Sequence, residues 1–313
     1  MTRPTRVALA SYAQLPELNA DDRLLLAALR AAGALAEPAV WDAPRDWARF
    51  DVVVVRSCWD YHRRWAEFLA WIDRVTAAGA RLVNPAPVLR WNGDKRYLGE
   101  LAAAGVHVVP TAPVEPPAPG HPAPSLGDVL RARGWDEAVV KPAVSASAHA
   151  TWRTGLDRAP RDEGRFAALL GAAPRGLLVQ PFVEEVVADG EWSLVFLGSR
   201  FSHAVRKQSA AGDFRVQAEF GGRADAAVPP QGLATDARAA LVAATRAAGV
   251  TDGAIAYARV DGVARAGRLL LMELECIEPQ LYLRTAADAA ARLAELVLRG
   301  GRAAPAGLTA AGS

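Results

Sequence analysis

Arg259-Val260-Asp261 and Glu273-Leu274-Glu275 flank a glycine-containing turn and set ionisable side chains at alternate positions of two apolar segments. Alternate residues of a strand share one face, so each string presents two charged groups on the same side. If the two segments pair as a hairpin, four charges converge while Val260, Met272 and Leu274 turn to the core. Three hard oxygen donors beside one guanidinium outline a site for a metal and phosphates. Mg2+ takes a few carboxylates and completes its octahedron with water and phosphate oxygens, which suits Asp261, Glu273 and Glu275. The competing reading is a solvated sheet face carrying salt-bridged charges.

The remaining basic residues sharpen that choice. Of 36 Lys and Arg residues only Lys95, Lys141 and Lys207 are lysines. A compact ammonium serves phosphate binding where a planar guanidinium fork is not needed, although coding bias would leave the same few lysines. Lys141 closes the strand-like Val139-Val140-Lys141-Pro142, which leads into Ala143 to Ala150, a run of small and hydroxyl residues that includes Ser145, Ser147 and His149. Asp94 is expected to cap a helix reaching Ala104, placing Lys95 in a first turn that favours anions. Lys207 follows the segment Phe201 to Val205, the expected antiparallel partner of the strand Glu191 to Leu197. Asp213 to Gln217, with Arg215, leads to Gly221-Gly222. Pro113 to Pro124 reads as an irregular surface connection.

The first 85 or so residues alternate strand and helix: Arg6 to Ala10, Asp21 to Ala32, a strand pair at Trp41 and Asp51 to Arg56, Trp65 to Ala78, then Arg81 to Val83. This order predicts an open parallel sheet, and Val52 to Val55 has the continuous apolar character of a strand covered on both faces. Ligands gather beyond the carboxyl ends of such strands, where Arg56-Ser57-Cys58-Trp59-Asp60-Tyr61 falls. Arg56 is the residue expected to hold a substrate carboxylate through its fork, with Ser57 beside it. A structural loop capping the sheet is the alternative. No G-x-G-x-x-G and no G-x-x-x-x-G-K-[ST] occurs.

Composition narrows the function classes. The chain has 313 residues, 51% hydrophobic and 22% charged, with a net charge of +2. That balance argues against nucleic acid as the expected partner. No run approaches the roughly 18 apolar residues of a membrane span, and no signal-peptide core is evident, so a cytoplasmic protein is expected. Cys58 and Cys276 lack metal-ligand spacing and are expected to be reduced thiols.

Taken together, these residues resemble the ATP-grasp superfamily of D-alanine-D-alanine ligase and prokaryotic glutathione synthetase, over nearly the whole chain. The resemblance implies an α/β (α+β) ATP-grasp fold, with an N-terminal open parallel sheet lobe over 1–88 and two α+β lobes over 89–178 and 179–313 enclosing the nucleotide. It implies ATP and Mg2+ as cofactors. Lys95 and Lys141 would contact phosphates, and Gln180, Phe182 and Val183 would form the adenine hinge. The Ala143 to Ala150 segment is Ser- and Ala-rich where relatives are often Gly-rich, and in it Ser147 would be a further phosphate contact, with mobile-loop filler as the commoner alternative. Glu191 would bind ribose, with Glu184 as second candidate. The family pattern R-x-D then E-x-N corresponds to Arg259-Val260-Asp261 and Glu273-Leu274-Glu275, with Glu275 replacing Asn. Asp261, Glu273 and Glu275 would hold the metal, and Arg259 would stabilise an oxyanion. Lys207 and Arg215 are the next candidates for contact with γ-phosphate or carboxylate, with ordinary surface charges as the alternative, while Gly221 and Gly222 would allow close backbone approach to the substrate. The activity implied is ligation: a small amino-acid-like carboxylate activated as an acyl phosphate and attacked by nitrogen. Trp59-Asp60-Tyr61, Asn92-Gly93-Asp94-Lys95 and Glu278-Pro279 are similar to the branch that forms D-cycloserine by cyclising an O-ureidoserine. A kinase-type phosphotransferase and a non-catalytic nucleotide-binding regulator are the alternatives. A homo-oligomer without nucleic-acid or membrane partners is expected.

Overall fold

Strands β1 (Arg6–Ser11), β2 (Leu35–Val40), β3 (Val52–Ser57) and β4 (Arg81–Val83) form a parallel sheet in the order β2-β1-β3-β4. The computed structural model describes residues 3–120, 122–210, 213, 215, 216 and 220–299. Phe214, Gln217 and residues 300–313, which the sequence reading placed beside Arg215 and at the end of the third lobe, lie outside the described residues. Strand β3 is buried throughout. Its Val52 and Val54 face the helices Ala20–Ala31 and Ala289–Leu298, while Val53 and Val55 meet Phe68, Trp71, Ile72 and Val75 of the helix Trp65–Ala77. Covering both faces is what the unbroken valine run requires. The expected strand at Trp41 instead ends at Val40 and forms the sheet edge, where Pro38 removes no needed donor. The first helix is capped by Asn19, not by Asp21 or Asp22: its side chain accepts from both of their N–H groups.

The central sheet is antiparallel, with β5 (Ala112–Val114), β6 (Glu137–Pro142), β7 (Trp152–Gly155) and β8 (Leu177–Pro181) in the order β5-β8-β6-β7. The segment expected to be irregular from Pro113 therefore begins inside a short edge strand. Position 178/179, expected to separate two lobes, falls within β8, whose pairing with β6 carries the central sheet to Pro181. Helices Leu126–Arg133 and Ala159–Ala172 supply Leu130, Phe166 and Leu170 to its core.

The third sheet holds β9 (Glu191–Leu197), β10 (Arg200–Gln208), β11 (Arg223–Ala226), β12 (Tyr257–Arg265) and β13 (Arg268–Glu275) in the order β11-β10-β9-β12-β13. Lys207 lies within β10 and does not follow it. One face, with Leu194, Phe196, Ala258, Val260 and Leu274, packs on the helix Gln231–Ala247. The other face carries Ser193, Lys207, Arg259 and Asp261, as alternation demands. Strands β12 and β13 pair with Arg259 opposite Glu275 and Asp261 opposite Glu273. A bulge between Asp261 and Gly262 then shifts the register. Met272 therefore leaves the Val260 and Leu274 core that the pattern predicted, and packs with Val109, Val183, Val186 and Val216. Among the described residues no helix is long and apolar enough to cross a membrane.

Candidate active site

A cavity of about 560 Å3 opens where the three sheets meet, and all three lysines line it. Lys95 lies two residues ahead of the helix Tyr97–Ala103, outside its first turn; Asp94 accepts from the Arg96 N–H instead of capping the helix. The Lys95 ammonium donates to the Ser145 carbonyl and stands 3.0 Å from Glu273 Oε1. Lys207 pairs with Glu191 and lies 3.6 Å from Asp261. Gly190 makes that pairing possible: at φ +82° an added Cβ would stand 2.5 Å from the Lys207 carbonyl. Lys141 forms no ion pair or hydrogen bond with a described side chain. Burial pulls its ammonium below the ordinary lysine range, with Lys95 adding to the shift and Glu273 opposing it. An unpaired ammonium at a cavity wall is a site for an anion.

The hairpin supplies the opposite charge. Arg259 Nε lies 3.0 Å from each Asp261 oxygen, Nη2 lies 2.5 Å from Glu275 Oε1, and Nη1 donates to the Gln280 carbonyl at 3.1 Å. Asp261 also accepts from Ser193 Oγ. Burial works against the Asp261 charge, but Arg259 and Lys207 hold its carboxyl below the usual range. Glu273 is likewise held low by Lys95 and Lys141 against burial. Burial pushes Glu275 up to about 7, with Glu273 and Asp261 adding to the effect and Arg259 opposing it. Glu273 and Glu275 line the cavity, whereas Asp261, 3% exposed, is withdrawn beneath its wall. Among the described residues the three acids do not close into a preassembled metal cage, because their oxygens are turned to Arg259, Ser193 and Lys95. A pair of cavity-facing carboxylates still fits Mg2+, which commonly takes one or two protein carboxylates and draws its other ligands from water and phosphate.

The remaining expected residues divide. Gln180, Phe182, Val183, Glu191, Ser147, Arg215 and Gly222 line the cavity; Glu184 and Gly221 do not. Phe182 lies under the Arg153 guanidinium at 3.6 Å, and Arg215 pairs with Asp213 while covering the Phe220 ring. Ser147, Ala148 and Ala150 adopt left-handed backbone conformations unusual for non-glycine residues. The structure overturns the assignment of Arg56 and Ser57 to the substrate. Arg56 is 1% exposed, pairs with Asp22 at 2.8 Å, donates to the Pro279 carbonyl and covers the Tyr257 ring. Ser57 Oγ donates to Asp22. The end of β3 is thus buried beneath the 279–284 segment, and the loop beyond it reaches the cavity only through Trp59 and Tyr61.

The sequence pattern did not reveal the roles of Asn84, Asn92 and Tyr97 in holding the hairpin in place. The Asn92 amide donates to the Leu274 carbonyl at 2.7 Å and accepts from the Cys276 N–H at 2.6 Å. Tyr97 Oη donates to the Leu274 carbonyl and accepts its N–H. Asn84 donates to the carbonyls of Tyr257 and Cys276. Such buried amides carry no local sequence signature, since their partners lie far away in the chain. Asn92→Ala strands a buried donor and is expected to lower the unfolding free energy by about 2 kcal/mol, read from urea denaturation.

The profile of the D-cycloserine synthetase DcsG N-terminal domain matches residues 7–84. The cycloserine biosynthesis protein DcsG of Streptomyces lavendulae is 37% identical over 297 residues, covering 92% of this chain and 96% of that protein. The crystal structure of D-cycloserine synthetase DcsG superposes with a TM-score of 0.81 at 35% identity, covering 93% of this chain and 98% of that one. D-alanine–D-alanine ligase from Bacillus anthracis, solved with ATP, gives 0.63 at 14% identity over 94% and 96% of the two chains, which shows the shared fold. With a relative of this identity matched over almost its full length, the chain belongs to the D-cycloserine synthetase family and is an ATP-grasp ligase.

Proposed function

We propose that this ligase uses ATP and Mg2+ to close O-ureidoserine into D-cycloserine: the carboxylate is activated as an acyl phosphate with release of ADP, the oxygen-bound ureido nitrogen attacks it and expels phosphate, and water removes the carbamoyl group from that nitrogen as CO2 and ammonia. The observation that carries the reading is the convergence of Lys95, Lys141, Lys207, Arg259, Glu273 and Glu275 on one cavity beyond the parallel strands. Phosphoryl transfer needs alignment and charge neutralisation more than covalent help from the protein. Lys95 and Lys141 hold phosphate oxygens, while Gln180, Phe182 and Val183 bound the adenine and Glu191 meets the ribose. Glu273 and Glu275, with Asp261 behind them, would hold Mg2+, which would supply charge neutralisation to the phosphates. Arg259 projects beside them to stabilise the oxyanion formed on attack, and Lys207 and Arg215 reach the γ-phosphate or carboxylate. Gly222 lets the backbone approach the substrate. The protein acts in the cytoplasm as a homo-oligomer on this small amino-acid-like substrate.

Incubation with O-ureidoserine, ATP and Mg2+ is expected to release ADP together with a product of D-cycloserine mass. A stable phosphorylated product without ring closure, or no ADP at all, would overturn the reading.

A further inference from the structure

Among the described residues four acids line the cavity, and three of them have a cation of the protein beside them: Glu191 has Lys207, Glu273 has Lys95 and Glu275 has Arg259. The fourth, Glu278, is 8% exposed and joins no ion pair or hydrogen bond with a described side chain. A buried carboxylate without a partner is costly, and its persistence in a ligand cavity points to a counter-charge brought in by the ligand. Arg259, Lys95 and Arg56 attract its charge, but none of them forms an ion pair with it. Glu278 follows β13 toward the N-terminal sheet, and its charge is felt by Cys58 and Tyr61 in the loop after β3. Ligands of open parallel sheets collect there. Arg259 and Lys95 are already paired with Glu275 and Glu273, so a counter-charge for Glu278 is left to the ligand.

We propose that Glu278 binds the cationic α-amino group of the carboxylate substrate and so selects amino acids over simple carboxylic acids. This rests on the ligase reading above. Burial first, and then Glu275, push the Glu278 carboxyl well above the usual carboxylate range, so an incoming ammonium relieves an unfavourable charge that the empty protein carries or suppresses by protonation.

The test compares O-ureidoserine with its des-amino analogue, 3-(ureidooxy)propionate, by ADP release. In the wild type, loss of the amino group is expected to lower kcat/KM about 100-fold. Glu278→Gln is expected to lower kcat/KM for O-ureidoserine by a similar factor while leaving the analogue nearly unchanged. Glu278→Asp, which keeps the charge with shorter reach, is expected to restore part of the discrimination. Equal losses on both compounds would assign Glu278 a structural role and overturn the proposal. So would ADP release at the wild-type rate with ring closure lost, which would make Glu278 a proton acceptor for the nucleophile. If the wild type releases no ADP with either compound, the ligase reading fails. Calorimetric binding of the two compounds to the wild type and Glu278→Asp then still decides whether Glu278 recognises the amino group.

Discussion

Lys141→Ala is expected to reduce ADP formation by about 1,000-fold while leaving the fold intact, the size of loss typical when one preorganised charge at a reacting centre is removed. The physical case rests on what Lys141 lacks. Lys95 and Lys207 are each tied to a protein carboxylate, so removing either would strand an acid and confuse catalytic with structural damage. Among the described residues Lys141 has no such partner, and its ammonium is pulled down by burial against the wall of the cavity. Replacing it removes a half-buried charge that forms no ion pair among the described residues, which leaves no carboxylate stranded, yet leaves the transferring phosphoryl group short of one positive charge. Urea denaturation and single-turnover ADP release measured on the same preparation separate the two effects. Glu273→Ala should also abolish ADP formation, but it leaves Lys95 without its carboxylate. Full activity in Lys141→Ala would remove the lysine from the phosphate site.

The charged hairpin was legible because it depends on the shortest-range rule in a protein, alternation along a strand. The rule puts the charges of each string on one face, and the observed pairing then sets Arg259 opposite Glu275 and Asp261 opposite Glu273. Where the rule stops, so did legibility. The bulge at Asp261 and Gly262 depends on how two strands twist against each other, so Met272 could not be placed from its parity. The retreat of Asp261 behind the wall likewise follows from Arg259 folding across it, a choice between partners that spacing does not encode. Similarity in order and type did identify the three lysines, since each sits at the edge of a readable strand or helix. The bracing roles of Asn84, Asn92 and Tyr97 were not legible, although Asn92 stood in a recognised string, because each acts on backbone that is distant in sequence.

Arg56 marks the sharpest difference between pattern and structure, and its replacement separates the two interpretations. As a substrate anchor, Arg56→Ala would raise KM and leave stability unchanged. Its surroundings predict the reverse. The guanidinium and the Asp22 carboxylate are each about 1% exposed and 2.8 Å apart, and Asp22 also accepts from Ser57. Deleting one member of a buried pair leaves the other charge uncompensated, with an expected loss of about 3–5 kcal/mol of unfolding free energy. The Pro279 carbonyl loses its donor as well, and this carbonyl belongs to the segment that leads Glu278 and Gln280 past the cavity. Arg56→Ala is therefore expected to unfold at markedly lower urea concentration, and the fraction that stays folded should show a disordered substrate site with kcat and KM both affected. Arg56→Met combined with Asp22→Leu removes both charges and keeps most of the volume, so much of the stability should return. Return of stability in the double variant, with activity still depressed, would locate the contribution of Arg56 in how it holds the Pro279 backbone, whereas a rise in KM alone in Arg56→Ala would restore it to the substrate.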